Sequence, residues 1–145
     1  RQRQMCIRDR HNDVAGSMAG KAPALDQALS ALIRDLDSSG LLNETLIVLA
    51  SEFGRSPAIN QNAGRDHHPA AFSYVLAGAG IKGGAVYGKS DEKGHGIDED
   101  PVGITDFNST ITVACGLDPN KEHFAPNGRP FKIGGGGDPI YDVLA

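Results

Sequence analysis

The chain has no tryptophan, and phenylalanine and tyrosine together make up only 6 % of it, so a core built on large aromatic side chains is excluded. It has two cysteines, Cys6 and Cys115, without the paired spacing of a zinc knuckle or a dithiol redox motif. No apolar run approaches the ~18 to 20 residues that cross a bilayer as a helix. Positive charge is also short: 14 Lys and Arg stand against 18 Asp and Glu, for a formal net charge of -4. That sign argues against a protein that follows phosphate backbones, and nucleic acid is not an expected partner. What is abundant is glycine, 19 residues, with 8 prolines in a length of 145. Short elements joined by long turns are therefore expected, and long loops in a compact domain commonly carry sites. The length suits one domain, and a hydrophobic share of 39 % suits a folded one.

The first ten residues stand apart. The chain starts with Arg1, not Met, and Arg1 to Arg10 carries four of the basic residues with neither helical nor strand periodicity. The segment resembles a translation of sequencing-adapter DNA, so residues 1–10 are expected to be non-native and unpacked. Residues 11–145 are expected to be the C-terminal part of a single domain of a longer protein.

Between Ala22 and Ser39, Leu25, Leu29, Leu32, Ile33 and Leu36 fall on one helical face. Pro23 suits a first turn and Gly40 a C-terminal stop. Thr45 to Ser51 is a nearly continuous apolar run, the pattern of a strand buried on both faces of a parallel sheet. Residues 52 to 71 show no periodicity and read as a long loop at the C-terminal end of that strand, where open α/β sheets bind ligands. A second strand is expected at Phe72 to Ala77, turns at Gly78 to Gly84 and a short strand at Ala85 to Gly88. A polar, acidic surface loop is expected at Lys89 to Pro101. A helix follows at Thr105 to Cys115, with Thr105 or Asp106 as N-cap, Phe107, Ile111 and Ala114 on its apolar face and Gly116 as its stop. A β-segment at Arg129 to Ile133, a Gly134 to Gly137 turn and a last short helix complete the chain.

Two clusters carry the chemistry. In Ser51-Glu52-Phe53-Gly54-Arg55 a carboxylate stands at a strand end and an arginine can fork onto an anion, unless Glu52 and Arg55 are only a solvated pair. In Gly64-Arg65-Asp66-His67-His68-Pro69, imidazole and carboxylate suit zinc, manganese or iron, and Glu52 with His67 could share an ion if the loop folds back. Asp66 is then either a ligand or the partner that sets the imidazole tautomer. Adjacent histidines seldom face one ion, so at most one of His67 and His68 is expected to ligate, unless the pair simply belongs to an ordinary polar loop. His11 and Asp13 have ligand chemistry before the first helix. His95 reads as a solvated histidine, Cys115 as a small buried hydrophobe and Gly78 to Gly84 as a turn, since no Gly-Lys-Ser/Thr ending is present.

Taken together, Leu25 to Leu36, Gly40 to Val48, Ser51 to Pro57, Gly64 to Pro69, Leu76 to Gly84, Val86 to Gly88, Ser90 to Glu92 and Cys115 to Asp118 resemble the domain-of-unknown-function 1501 family over His11 to Ala145. That family is similar to the alkaline phosphatase and sulfatase superfamily. The resemblance implies an α/β/α sandwich with a mostly parallel sheet, bacterial origin and a periplasmic or extracellular location. It also implies a divalent metal ion (zinc, manganese or calcium) and hydrolysis of a small anionic phosphate or sulfate ester. In relatives such as the superfamily's phosphoglycerate mutases, a strand ends in Asp-His-Gly and a further histidine follows. Here Glu52 and His67 take the ligand places, Asp66 ligates or supports, and Arg55 and Arg65 orient the anion. Phe53 stands where a metal-binding histidine is found, and it favours the rival expectation of a non-catalytic exported binding protein on the same fold.

Overall fold

The computed structural model describes residues 11–145, so the expectation for residues 1–10 lies outside the described residues. Among the described residues two α-helices combine with short strands. Helix α1 spans Val14–Ser38 and α2 spans Ile104–Ala114. The strands are β1 (Leu46–Leu49), β2 (Gly54–Arg55), β3 (His67–His68), β4 (Val75–Gly78), β5 (Lys89–Ser90), β6 (Ile97–Glu99), β7 (Glu122–Phe124) and β8 (Pro130–Lys132). Tight 3₁₀ turns occupy Leu41–Asn43 and Tyr141–Val143, the second in place of the expected last helix.

Among the described residues the strands join as β1 with β4, β2 with β3, β5 with β6 and β7 with β8, and every pair is antiparallel. The sheet is thus four two-stranded ladders where a mostly parallel one was expected. β1 is half-buried rather than covered on both faces, because its one ladder partner is β4 and Val48 remains 40 % exposed.

α1 begins earlier than its apolar periodicity suggests. The Asp13 carboxylate accepts from the Gly16 N–H at 3.1 Å, and the Asp13 and Val14 amides bond the Asn62 and Ala63 carbonyls at 3.0 and 2.9 Å. This anchoring outweighs the missing donor of Pro23, which lies inside the helix rather than in its first turn. Gly40, at φ 75°, ends the helical run in a left-handed conformation that a side chain would disfavour. None of α1's residues is buried; Leu25 and Leu32 are about half exposed.

The packed centre lies around α2. Phe107 is buried and stacks on Tyr74 at 4.0 Å, and Tyr74 meets Phe72 edge-on at 5.1 Å. The other buried α2 side chains are hydroxyls, each with partners. Ser109 Oγ lies within bonding distance of the Gly134 and Gly137 carbonyls, and Thr110 Oγ1 donates to the Asp106 carbonyl and accepts from the Ile140 N–H. These bonds tie the C-terminal glycine turn onto the helix. Gly103, not Thr105 or Asp106, caps α2; the Asp106 carboxylate accepts the Gly103 N–H at 3.0 Å and the Asp138 N–H at 2.9 Å. Cys115 is exposed, contrary to the buried thiol expected, because it sits at the C-cap where the chain turns away through Gly116.

Ala85 to Gly88 forms no strand, and Val86 is almost wholly exposed. The pairing falls one step later, in a β5–β6 hairpin inside the segment expected to be loop, clamped by Lys89 on Glu99 at 2.6 Å. Expected strands Thr45 to Ser51, Phe72 to Ala77 and Arg129 to Ile133 shorten to β1, β4 and β8.

Candidate functional site: a histidine hairpin

The long loop after β1 does fold back, as the β2–β3 hairpin, with Arg55 opposite His67 and Gly54 opposite His68. Successive side chains on a strand point to opposite faces, and the two histidines accordingly meet different neighbours. The His67 ring lies 4.7 Å from the His11 ring and 4.0 Å from the Phe53 ring, centroid to centroid. His68 instead bonds the His95 carbonyl, with Nε2 to oxygen at 2.8 Å. His11, fifty-six positions upstream in sequence from His67, is therefore the residue the tertiary structure adds to the hairpin.

Asn60 organises this approach. Its Oδ1 accepts from the Asn62 and Gly64 amides at 3.0 and 2.9 Å, while Nδ2 donates to the His11 carbonyl at 3.1 Å and to Asp66 Oδ1 at 2.9 Å. One amide thus closes the 60–64 turn, docks the His11 backbone and orients Asp66. Nothing in the local pattern of Asn60 marked it; its role depends on a partner 49 positions away. Asn60→Ala removes all four bonds and leaves the Gly64 amide unpaired, so a loss of roughly 2 to 4 kcal/mol in unfolding free energy is expected from bonds of about 1 kcal/mol each, read by urea denaturation. Asn60→Asp keeps the acceptors yet sets a carboxylate beside Asp66, and should fall between the two.

The two arginines brace the loop. Arg65 Nη1 donates to the Ser56 and Pro57 carbonyls at 2.6 and 2.5 Å, and Arg55 Nη1 donates to the Arg65 carbonyl at 3.1 Å. The Arg55 guanidinium also lies 5.8 Å from the centre of the Phe53 ring. Phe53 therefore fills one side of His67 and carries a cation on its own flank.

Glu52 is exposed, two residues before β2. Asp13 caps α1 through the Gly16 amide. Among the described residues, no group of three or more His, Cys, Asp and Glu side chains converges to hold an ion. A groove of about 660 Å³ runs beside the hairpin, lined by Tyr74, Val75, Tyr87, Ile97 and Phe107. Glu52, Arg55, Arg65, Asp66 and His67 do not line it; it starts at Pro69, one residue past His68.

Asp91 holds the facing turn. Its Oδ1 accepts from the Lys93 and His95 amides at 2.8 and 3.0 Å and its Oδ2 from the Gly96 amide at 2.7 Å. The His95 amide bond is the main cause that holds this carboxyl below its ordinary value of 3.8; partial desolvation opposes the shift, and the Lys93, Gly96 and Gly94 amides add to it. A carboxyl lowered on folding stabilises the ionised fold above its ordinary value and ceases to do so as pH falls through the lowered one. The β5–β6 turn is therefore intact at neutral pH and is expected to loosen only below about 3.8. Protection of the His95 and Gly96 amides against hydrogen exchange, relative to their intrinsic rates, should fall there in the native chain, while in Asp91→Asn it should be lower at neutral pH and change little across that window.

The chain is a mixed helix-and-strand protein whose defining feature is a histidine-bearing hairpin docked on the start of a long amphipathic helix. The family described as protein of unknown function (DUF1501) matches residues 8–144, and the chain belongs to it. No curated protein and no solved structure matches the chain.

Proposed function

We propose that the chain is the C-terminal part of an α/β/α sandwich of the alkaline phosphatase and sulfatase kind, and that it contributes to a metal-dependent hydrolase of phosphate or sulfate esters. The observation carrying this reading is the approach of His11 to His67, with ring centroids 4.7 Å apart. Two imidazoles bound to one tetrahedral ion at ~2.0 to 2.1 Å have centroids about 5 Å apart, so the pair fits a shared ion. An imidazole-containing donor set suits zinc or manganese better than calcium. Asp66, adjacent to His67, and Glu52 are the carboxylates we assign to complete the set. A divalent ion held by these residues would supply polarisation of an ester oxygen and stabilisation of the charge that develops in an in-line displacement.

The residues of the chain have separable tasks. Phe53, its ring tilted by 34° against that of His67 at 4.0 Å, packs on the ring and limits its rotation. Asn60 holds Asp66. Arg55 spends one bond on the Arg65 carbonyl, and a guanidinium has further donors in its fork to meet an anionic oxygen. Arg65 acts mainly through the loop, since it grips two carbonyls.

Surface area supports the sandwich. The chain exposes 10307 Å², against about 7,100 Å² for a compact monomer of its mass. The surplus includes large apolar side chains of the described residues. Leu25 and Leu32 on α1, with Val48 on β1, belong to that surplus. We therefore expect the chain alone to bind an apolar-surface dye and to self-associate, and Leu25→Glu with Leu32→Glu to suppress both, as read by light scattering. A chain that is monomeric and dye-silent would count against a missing layer.

The nucleophile is assigned to the remainder of the protein, so this chain alone should not turn over esters. The deciding experiment is metal analysis, with turnover of generic phosphate and sulfate esters, on a longer family member carrying the same motifs. Stoichiometric metal with turnover supports the hydrolase. Absence of both supports the second reading, an exported binding protein in which Phe53 occupies the place of a ligand.

A further inference from the structure

The opposite face of the hairpin carries a histidine in a different setting. His68 Nε2 lies 2.8 Å from the His95 carbonyl oxygen, and the two rings meet edge-on at 6.1 Å. A carbonyl only accepts, so Nε2 must carry the proton; in the neutral ring Nδ1 is then bare and available as an acceptor. That carbonyl is not a free loop atom. The His95 amide, with those of Lys93 and Gly96, is pinned on the Asp91 carboxylate, and the Asp91 N–H bonds the Gly96 carbonyl at 3.0 Å. The β5–β6 ladder closes the turn from outside. Pro69 and Gly94, the chain neighbours of His68 and His95, line the 660 Å³ groove, so the pair adjoins one end of it.

We propose that Asp91 is a positioning residue for His68: by holding the His95 carbonyl on Nε2–H, the Asp91-to-Gly96 turn makes Nδ1 a fixed acceptor for an O–H or N–H group of a ligand in the adjoining groove. His67 and His68 then divide the work, one ring meeting His11 and the other a hydrogen-bond donor. The idea that the donor belongs to an ester substrate rests on the hydrolase reading; the single tautomer does not.

Long-range ¹⁵N–¹H spectra of the full chain test it, recorded near pH 8, where an ordinary imidazole with a pKa of about 6.5 is neutral. His68 is expected as the Nε2–H form alone. His95→Ala keeps the carbonyl and should leave that pattern unchanged. Asp91→Ala should bring out a measurable Nδ1–H fraction at His68 while the His67 signals stay in place. If Asp91→Ala unfolds the chain, Asp91→Asn, which retains one acceptor oxygen, should show a smaller shift of the same sign. A native His68 protonated on Nδ1, or a single tautomer that survives loss of the Asp91 carboxylate in a folded variant, overturns the proposal. Failure of metal binding or turnover with the tautomer intact removes the hydrolase reading and leaves this one standing.

Discussion

Gly64→Ala is expected to be among the most destabilising single substitutions in the described chain. Gly64 is buried where the 60–64 turn meets the start of α1, and a Cβ there would strike the His11 carbonyl group and come within 2.6 Å of the Asn12 nitrogen. These are backbone atoms, held by the Asn12–Ala63 bridge and by Asn60, so no side chain can swing aside. Relief requires the 11–14 segment to lift off the hairpin. Overpacking against groups that can yield costs about 1 to 3 kcal/mol; against fixed backbone the upper end is expected. With Phe107 as the buried apolar side chain among the described residues, that is a sizeable part of a stability that is typically about 5 to 15 kcal/mol in all. The loss should appear as a lowered denaturation midpoint and as loss of the nuclear Overhauser contact between His11 and His67. Gly20→Ala is the internal control: nothing lies within 4 Å of its added Cβ, and it sits inside α1. There alanine should stabilise by about 0.5 to 1 kcal/mol, because glycine is the weaker helix former.

His67→Ala should have the largest effect on metal. If His67 ligates as proposed, in a longer family member with the same motifs the change removes one of three or four bonds to the ion, and in any case it removes the ring that His11 and Phe53 pack on. Metal content and ester turnover are expected to fall together, to background. Asp66→Asn keeps an acceptor for Asn60 and should cost about 10 to 100-fold, the usual effect of changing a group that supports a ligand. His68→Ala should leave metal content nearly unchanged, since its ring faces His95. His11→Ala should resemble His67→Ala if the ring pair is the ion's nitrogen set. A result in which His68→Ala strips the metal while His67→Ala retains it would reverse the assignment of the two faces. Retention of metal and turnover in all four would leave the hairpin a structural element.

Much of the local architecture follows from residue order. The spacing of Leu25, Leu29, Leu32, Ile33 and Leu36 makes α1 a helix, and Gly40 and Gly116 end their helices because each adopts the left-handed conformation there. The apolar run after Thr45 becomes β1, whereas the aperiodic segment read after it as loop carries the short β2–β3 hairpin. The helix, the two stops and β1 depend on side-chain period and on backbone sterics within a few positions, which a linear reading contains.

Strand direction and partner choice were not legible in the same way. An apolar run can be covered by a parallel neighbour or paired in an antiparallel ladder, and only the return of β4 onto β1 distinguishes them. Likewise Ala85 to Gly88 has strand composition, yet pairing goes to Lys89 and Ser90, because the Asp91 turn sets where the chain can reverse. Cys115 lies on an apolar register but faces solvent at a helix end.

The candidate site divides along the same line. Residue chemistry alone singled out Glu52, Arg55, Arg65, Asp66 and His67, and the difficulty of turning two adjacent imidazoles onto one ion already set His67 apart from His68; that the two lie on a strand, facing opposite sides, came from the fold. It took the folded chain to bring His11 onto His67, to place Phe53 against the ring, to make Asn60 the joint between them and to hand His68 to a carbonyl at His95. Each of those contacts joins groups whose separation in sequence is unrelated to any helical or strand period, so its formation is a property of how the loop closes and not of the residues read in order.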